Sequence, residues 1–198
     1  MTLTLELFPT IVFVIVMACW VAFAAIFVFR STPAANNDKK KDGVSIFGVA
    51  LQGLSYGIVW SVHRHAFSEM FPGWVLLNAF LNIVALAAAI GSVVLITKAV
   101  RTLGKEWSIT ARTVEDHKLA TNGPYARVRH PIYTGMLGML LATGIAISHW
   151  LALPVALLVF AAGTLIRIRI EERLLKETFG SQFDQYAKRV PAVIPGIF

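Results

Sequence analysis

The sequence is poor in charge and in cysteine. Only 15% of its 198 residues are charged, whereas 57% are hydrophobic, and its mean hydropathy is +0.68. This composition lies outside the range of soluble domains and indicates an integral membrane protein. Cys19 is the single cysteine, which excludes an internal disulfide framework and a cysteine-rich metal site. His63 and His65 have no third ligand nearby, so no metal site is predicted.

Acidic residues are scarcer than basic ones, 11 against 18, which gives a net charge of +7. In a soluble protein this excess can indicate a nucleic-acid partner. Here the basic residues lie between apolar runs, where signals for membrane orientation and contacts with lipid headgroups are expected. No recognition-helix or zinc-finger pattern accompanies them. The sequence therefore predicts the lipid bilayer, and not nucleic acid, as the partner.

Apolar runs in the first half predict three transmembrane helices. Uncharged stretches occupy residues 7–29, 44–62 and 73–97. Crossing a hydrocarbon core of about 30 Å takes roughly 20 helical residues at about 1.5 Å each, so every stretch is of suitable length. Gly53 and Gly57 form a small-xxx-small pair in the second stretch, which would let another helix approach closely, although such pairs often occur without a dimer.

The second half contains an apolar run that is too long for one crossing. Residues 131–166 include no Asp, Glu, Lys or Arg. As a single helix this run would be about 54 Å long, far more than a bilayer core requires. The chain must therefore fold back, and the polar residues 148–150 followed by Pro154 mark the turn. This predicts a helical hairpin of spans four and five.

Five spans agree with the distribution of charge. With this count, all of the 18 basic residues except Arg64 lie on one side of the membrane. The positive-inside rule then places the N-terminus outside and the C-terminus in the cytoplasm. The predicted fold is an all-α integral membrane protein of five transmembrane helices.

Two polar segments meet at the cytoplasmic base of the hairpin. Residues 119–133 enter it with an Arg-His-Pro-x-Tyr cluster, and residues 167–173 leave it. On a helix continuing from span five, Arg167 and Glu171 lie one turn apart, with Glu172 beside them. A juxtamembrane helix with a Glu172–Lys176 ion pair is one interpretation. A pocket is the other, since acids beside an apolar boundary are costly without a partner or a purpose.

Several short motifs of the second half share the order and spacing of a known family. They are His117-Lys-Leu, Gly123-Pro-Tyr125, Arg129-His-Pro-Ile-Tyr133, Arg167-x-Arg-x-Glu-Glu172, Phe179-Gly180 and Arg189-Val-Pro. Together they resemble the isoprenylcysteine carboxyl methyltransferase family and, more broadly, the integral membrane phospholipid methyltransferases. The resemblance covers about the C-terminal half of the chain, so the assignment of residues 1–98 to three N-terminal transmembrane helices depends on the apolar runs alone. The resemblance implies that residues 99–198 form a methyltransferase core with a cofactor-binding loop, the hairpin and a C-terminal cytoplasmic helix.

The resemblance also implies a cofactor and its ligands. Members of the family use S-adenosylmethionine, held in a cytoplasmic pocket and not in a soluble Rossmann domain, and no Gly-x-Gly-x-x-Gly occurs here. Positions that match cofactor-lining residues are His117, Lys118, Leu119, Tyr125, His130, Pro131, Tyr133 and Glu171. Arg167 matches a residue assigned to the substrate. A carboxylate can accept hydrogen bonds from ribose hydroxyls, and tyrosine rings can border a sulfonium.

The nature of the methyl acceptor decides which side chains would be catalytic. A carboxylate acceptor, as in an isoprenylcysteine, needs alignment and desolvation but no general base, and Arg167 would hold it. An amine of a phospholipid or a thiol would need a base, for which Glu172 and His130 are candidates. Alternatively, His130 caps span four and Arg129 contacts headgroups.

Two other functions fit parts of the pattern. A membrane reductase of the sterol type carries similar Arg-His-Pro and Glu motifs and would bind NADPH. A non-catalytic membrane subunit would use the polar segments only for contacts with a partner.

Overall fold

The predicted all-α architecture is confirmed. The structure is a computed structural model that describes residues 3–30, 43–65, 68–104 and 119–196. Within these ranges the helices are α1 Leu3–Arg30, α2 Gly43–Ser61, α3 Val75–Leu103, α4 Pro131–Ile147, α5 Ala152–Phe179 and α6 Ser181–Ala187. A 3₁₀ helix, Gly123–Ala126, precedes α4.

Three helices are long and apolar enough to cross a membrane. They are α1, through Leu7–Val28, α3 and α5, whereas α4 is apolar but only 17 residues long. These helices support an integral membrane protein. The crossings predicted for α2 and α4, and thus the total of five, stay predictions.

Helix α3 continues beyond the predicted end of the third span. The apolar stretch ends at Thr97, but the helix runs to Leu103 and carries Lys98 and Arg101 in its last turns. It stops at Gly104, whose φ of 56° is a left-handed conformation that favours glycine. The basic residues that follow the third apolar stretch therefore begin on the helix itself.

The predicted turn of the hairpin is confirmed. Helix α4 ends at Ile147, α5 begins at Ala152, and Pro154 lies in the first turn of α5. Arg64 stabilises the turn, because its guanidinium donates hydrogen bonds to the carbonyl oxygens of Ser148 (2.6 Å), Ile145 (2.7 Å) and Ala146 (3.0 Å). The last carbonyl groups of α4, which lack partners within the helix, are satisfied in this way.

The two helices of the hairpin pack chiefly against helices of the N-terminal half. Helix α5 lies mainly along α2, and α4 lies mainly along α3. One core cluster joins Val16 of α1, Ala89 of α3 and Met139 of α4, and another joins Val59 of α2 to Phe160 of α5. Packing between α4 and α5 themselves is thus the smaller part of what holds the hairpin.

Helices α2 and α5 approach each other through a pair of glycines that the sequence analysis did not select. A Cβ atom on Gly48 would lie 2.9 Å from the carbonyl oxygen of Gly163, and one on Gly163 would lie 2.8 Å from that of Gly48. By contrast, a Cβ on Gly53 or Gly57 would meet nothing within 4 Å among the described residues. Within the described part of the chain no other helix uses the Gly53–Gly57 pair, because both glycines lie on the exposed face of α2.

Candidate active site

The two polar segments meet, and Glu171 is at the centre of their contact. The hydroxyl group of Tyr133 donates a short hydrogen bond to Oε1 of Glu171. A guanidinium nitrogen of Arg167 lies 3.3 Å from the same oxygen, and Nδ1 of His130 lies 3.5 Å from Oε2. Tyr133 stands in the first turn of α4, whereas Arg167 and Glu171 lie on α5 beyond its charge-free part. The base of the hairpin thus brings side chains 38 residues apart into contact.

Glu172 faces the same segment. Its Oε1 accepts a hydrogen bond from Nε of Arg129 at 2.8 Å and lies 3.1 Å from Nε2 of His130. The Glu172–Lys176 ion pair considered from the sequence is replaced by these contacts, since Lys176 binds Asp184 at 3.0 Å. The headgroup role considered for Arg129 is likewise replaced by an internal one.

His130 lies between the two carboxylates. It occupies the N-cap position of α4, but its side chain makes no capping hydrogen bond there. Its ring stacks on that of Tyr133, with centroids 5.6 Å apart and an interplanar angle of 18°. Burial lowers the pKa of His130, but the hydrogen bonds and charges of Glu171 and Glu172 outweigh burial and raise it above its ordinary value. The protonated imidazolium, in which both nitrogens donate, is therefore favoured.

Arg167 is held from several directions. Its Cζ lies 5.1 Å from the centroid of the Tyr133 ring, a distance typical of a cation–π contact. One nitrogen binds Glu171, and another lies 3.4 Å from Oε1 of Gln52 on α2. No role was predicted for Gln52 from the sequence. The signal was present, because Gln52 is an amide within an apolar run.

The C-terminal segment fixes the backbone that carries His130. The N–H groups of Arg129 and His130 donate to the carbonyl oxygens of Pro191 and Ala192, both at 2.8 Å. The guanidinium of Arg129 also donates to the carbonyl of Ala187 at 3.0 Å and to that of Val190. Val190 and Pro191 of the closing Arg189-Val-Pro motif thus support the site through their carbonyl groups.

The structure describes Leu119, Tyr125 and Pro131 of the remaining predicted cofactor residues. Tyr125 is buried in the 3₁₀ helix, where its carbonyl oxygen accepts a hydrogen bond from the hydroxyl group of Tyr186 at 2.7 Å. Burial, followed by the charge of Glu171, raises the pKa of Tyr125. Pro131 is the first residue of α4, and Leu119 is half-buried at the start of the last described range. His117 and Lys118 lie outside the described residues.

The charges of the cluster favour an anionic ligand. Two carboxylates face three cationic groups when His130 is protonated, the others being Arg129 and Arg167. This excess of positive charge lies at the end of the charge-free part of α5, where electrostatic interactions are weakly screened.

Comparisons with known proteins agree with the geometry. A family model described as phospholipid methyltransferase matches residues 80–182. Protein-S-isoprenylcysteine O-methyltransferase B of Arabidopsis thaliana is 33% identical over 135 residues, which cover 63% of this chain and 64% of that protein. The cobalt-zinc-cadmium resistance protein CzcN of Cupriavidus metallidurans is 36% identical over 102 residues, which cover 48% and 44% of the two chains.

The fold is similar to a solved structure of the eukaryotic intramembrane Ras methyltransferase ICMT, isoprenylcysteine carboxyl methyltransferase. The TM-score is 0.57 at 24% identity, covering 92% of this chain and 64% of that chain. The chain thus spans less than two thirds of each of these three proteins. The family model covers more than half of the 198 residues and includes His130, Tyr133, Arg167, Glu171 and Glu172. The chain therefore belongs to the phospholipid methyltransferase family.

Proposed function

We propose that this chain is an S-adenosylmethionine-dependent methyltransferase of the membrane that methylates the carboxylate of a lipophilic, isoprenylcysteine-like acceptor. The observation that carries the proposal is the cluster of Arg167, Glu171 and His130 at the end of the charge-free part of α5. Ionised side chains at such a boundary are costly, so they occur there paired with one another and mark a functional site by default.

The residues present fit a methyl donor that carries a ribose. The side chain of Glu171 is 23% exposed, whereas those of His130 and Arg167 are only 6% and 8% exposed. Buried groups therefore fix the carboxylate from within, while part of it still faces outward. Such a carboxylate is suited to accept hydrogen bonds from ribose hydroxyls. When bound, S-adenosylmethionine would supply a methyl group on a sulfonium.

The other predicted cofactor positions keep their assignment as part of the proposal. They are His117, Lys118, Leu119, Tyr125, His130, Pro131 and Tyr133. For Tyr133 the contacts suggest an indirect role, because its ring adjoins His130 and Arg167 while its hydroxyl binds Glu171. We assign Tyr133 to the positioning of Glu171.

The contacts favour a carboxylate acceptor over an amine or a thiol. Neutral acceptors of those types must lose a proton to a base. Both nitrogens of His130 face carboxylates, and its raised pKa favours the protonated form. Glu172 is engaged by Arg129 and His130. A carboxylate needs no base, and Arg167 would hold it by charge-assisted hydrogen bonds. Glu172 is accordingly assigned to holding Arg129 and His130, and not to proton transfer.

The distribution of charge supports a cytoplasmic site. With the five predicted spans, the cluster lies on the same side of the membrane as nearly all basic residues, and the positive-inside rule then favours a cytoplasmic cluster and C-terminus, with the N-terminus outside. The donor would then enter from the cytosol and the acceptor from the bilayer.

A comparison of acceptors tests the proposal. Membranes containing the protein are incubated with methyl-labelled donor and, separately, with a prenylcysteine, a phosphatidylethanolamine or a lipophilic thiol. We expect label on the prenylcysteine alone, as a base-labile methyl ester. Label on the amine or the thiol contradicts the assigned acceptor. Binding of NADPH, without label on any acceptor, would favour the reductase alternative.

A further inference from the structure

Gln52 is a buried amide in the middle of an apolar helix, and its contacts lead to the candidate site. The residue is 2% exposed, and its side chain crosses from α2 to α5. Nε2 donates to Oγ1 of Thr164 at 2.9 Å, and Oε1 lies 3.4 Å from a guanidinium nitrogen of Arg167. An amide buried among apolar side chains is costly unless it has such partners.

The chemistry of the partners determines which way the amide points. A guanidinium can only donate hydrogen bonds, so the oxygen of Gln52 must face Arg167 and the nitrogen must face Thr164. Arg167 is then contacted at one terminal nitrogen by Gln52 and at the other by Glu171, at 3.3 Å. A planar guanidinium that is held at both terminal nitrogens has a fixed orientation.

Close packing of the two helices makes this contact possible. A Cβ atom on Gly48, one turn before Gln52, would lie 2.6 Å from Cγ of Arg167. The aliphatic part of Arg167 therefore lies across the backbone of α2, and only glycine leaves room for it. Helix α2 lies outside residues 80–182, the range that matches the family model.

We infer that Gln52 is a positioning residue that orients Arg167 toward the carboxylate of the acceptor. The inference rests on the proposed function, because it assumes that Arg167 holds that carboxylate. An amide suits the task since it directs the guanidinium without neutralising it. A carboxylate at the same place would pair with Arg167 and weaken its attraction for an anionic acceptor.

The ratio of the affinities for an acid and for the corresponding amide tests the orientation and charge of Arg167, and it can be measured without turnover. The probes are a prenylcysteine and its carboxamide, and dissociation constants are measured for detergent-purified full chain. For the native protein we expect the acid to bind at least about tenfold more tightly, as for one charge-assisted hydrogen bond. Gln52→Met should reduce this ratio to about twofold, and Gln52→Glu should abolish or invert it.

Gln52→Glu serves as a second test variant, and Ser92→Ala serves as the control. Gln52→Glu has the same shape as the native side chain, so it answers the question even where Gln52→Met does not fold. Ser92→Ala removes a buried hydroxyl group that donates to the carbonyl of Ala88 in its own helix, and it should keep the native ratio. A merely structural role of Gln52 would lower thermal stability and weaken both probes equally.

The outcomes separate this inference from the proposed function. A native preference for the acid that persists in both Gln52 variants overturns the role of Gln52 and leaves the proposed acceptor intact. Equal binding of acid and amide to the native protein overturns the assigned acceptor, and the role of Gln52 with it. A native preference that is lost in Gln52→Glu but kept in Ser92→Ala supports both.

Discussion

Nε2 of His130 lies 3.1 Å from Oε1 of Glu172, while the other ring nitrogen faces Glu171. The imidazole therefore joins two neighbouring carboxylates of α5 to the start of α4. The imidazole attracts both carboxylates by charge only when it is protonated. The stability of the site therefore depends on pH.

The first prediction concerns the pH dependence of stability. Because the pKa of His130 is raised on folding, its contribution is fully present below the unfolded value of about 6.5 and is lost as pH rises through the folded value. Thermal unfolding is compared for native protein and His130→Gln. The difference in stability should be largest near pH 6 and shrink above it. A difference that does not change with pH contradicts the ion pairs of His130.

The second prediction separates a structural Glu172 from a catalytic one. Glu172→Gln leaves Arg129 and His130 without their shared charge partner, so stability should fall by about 1–3 kcal/mol, as for other groups that lose a charged partner. Turnover of a carboxylate acceptor should keep the shape of its pH profile. Loss of one limb of that profile in the variant would show that Glu172 transfers a proton.

The third prediction concerns Tyr133. Tyr133→Phe removes the hydrogen bond to Glu171 and should weaken binding of S-adenosylhomocysteine by about tenfold, typical of a hydrogen bond to a charged group. Tyr56→Phe is the matched control, because its hydroxyl binds the carbonyl of Met136 at 2.7 Å, away from Glu171. Equal effects of the two substitutions would contradict a role for Tyr133 at the cofactor.

The fourth prediction tests the contact between α2 and α5. Gly163→Ala places a methyl group 2.8 Å from the carbonyl oxygen of Gly48, so it should separate the helices and lower the melting temperature by several degrees, as overpacking costs about 1–3 kcal/mol. Gly53→Ala meets nothing within 4 Å and should be neutral or stabilising, since alanine is the better helix former. The reverse order of stability would exclude this packing.

The sequence predicted the parts of the site that follow from chain length and charge. A charge-free run that is too long for one crossing must turn, so the cluster at His130 has to approach Arg167 and Glu171. Residues 148–150 and Pro154 marked the turn correctly. These predictions needed no knowledge of how helices pair.

What the sequence did not predict depends on the choice of helix face. Gly53 and Gly57 form a small-xxx-small pair and Gly48 does not, yet Gly48 is the one of the three that lies on the face of α2 that meets α5. Glu172 has Lys176 one turn away in sequence, yet Arg129 is the partner, because the fold brings a better-placed donor. Gln52 could not be linked to Arg167 across 115 residues without knowing that pairing.

Binding of S-adenosylhomocysteine to detergent-purified protein is the most direct measurement of the central claim, that Glu171 anchors a methyl donor. Titration calorimetry compares native protein, Glu171→Gln and Asp184→Asn, which alters an exposed ion pair outside the cluster. The account predicts binding to native protein and Asp184→Asn with equal affinity, and at least about tenfold weaker binding to Glu171→Gln. No binding to native protein at high micromolar concentration, or equal binding to all three proteins, would contradict it.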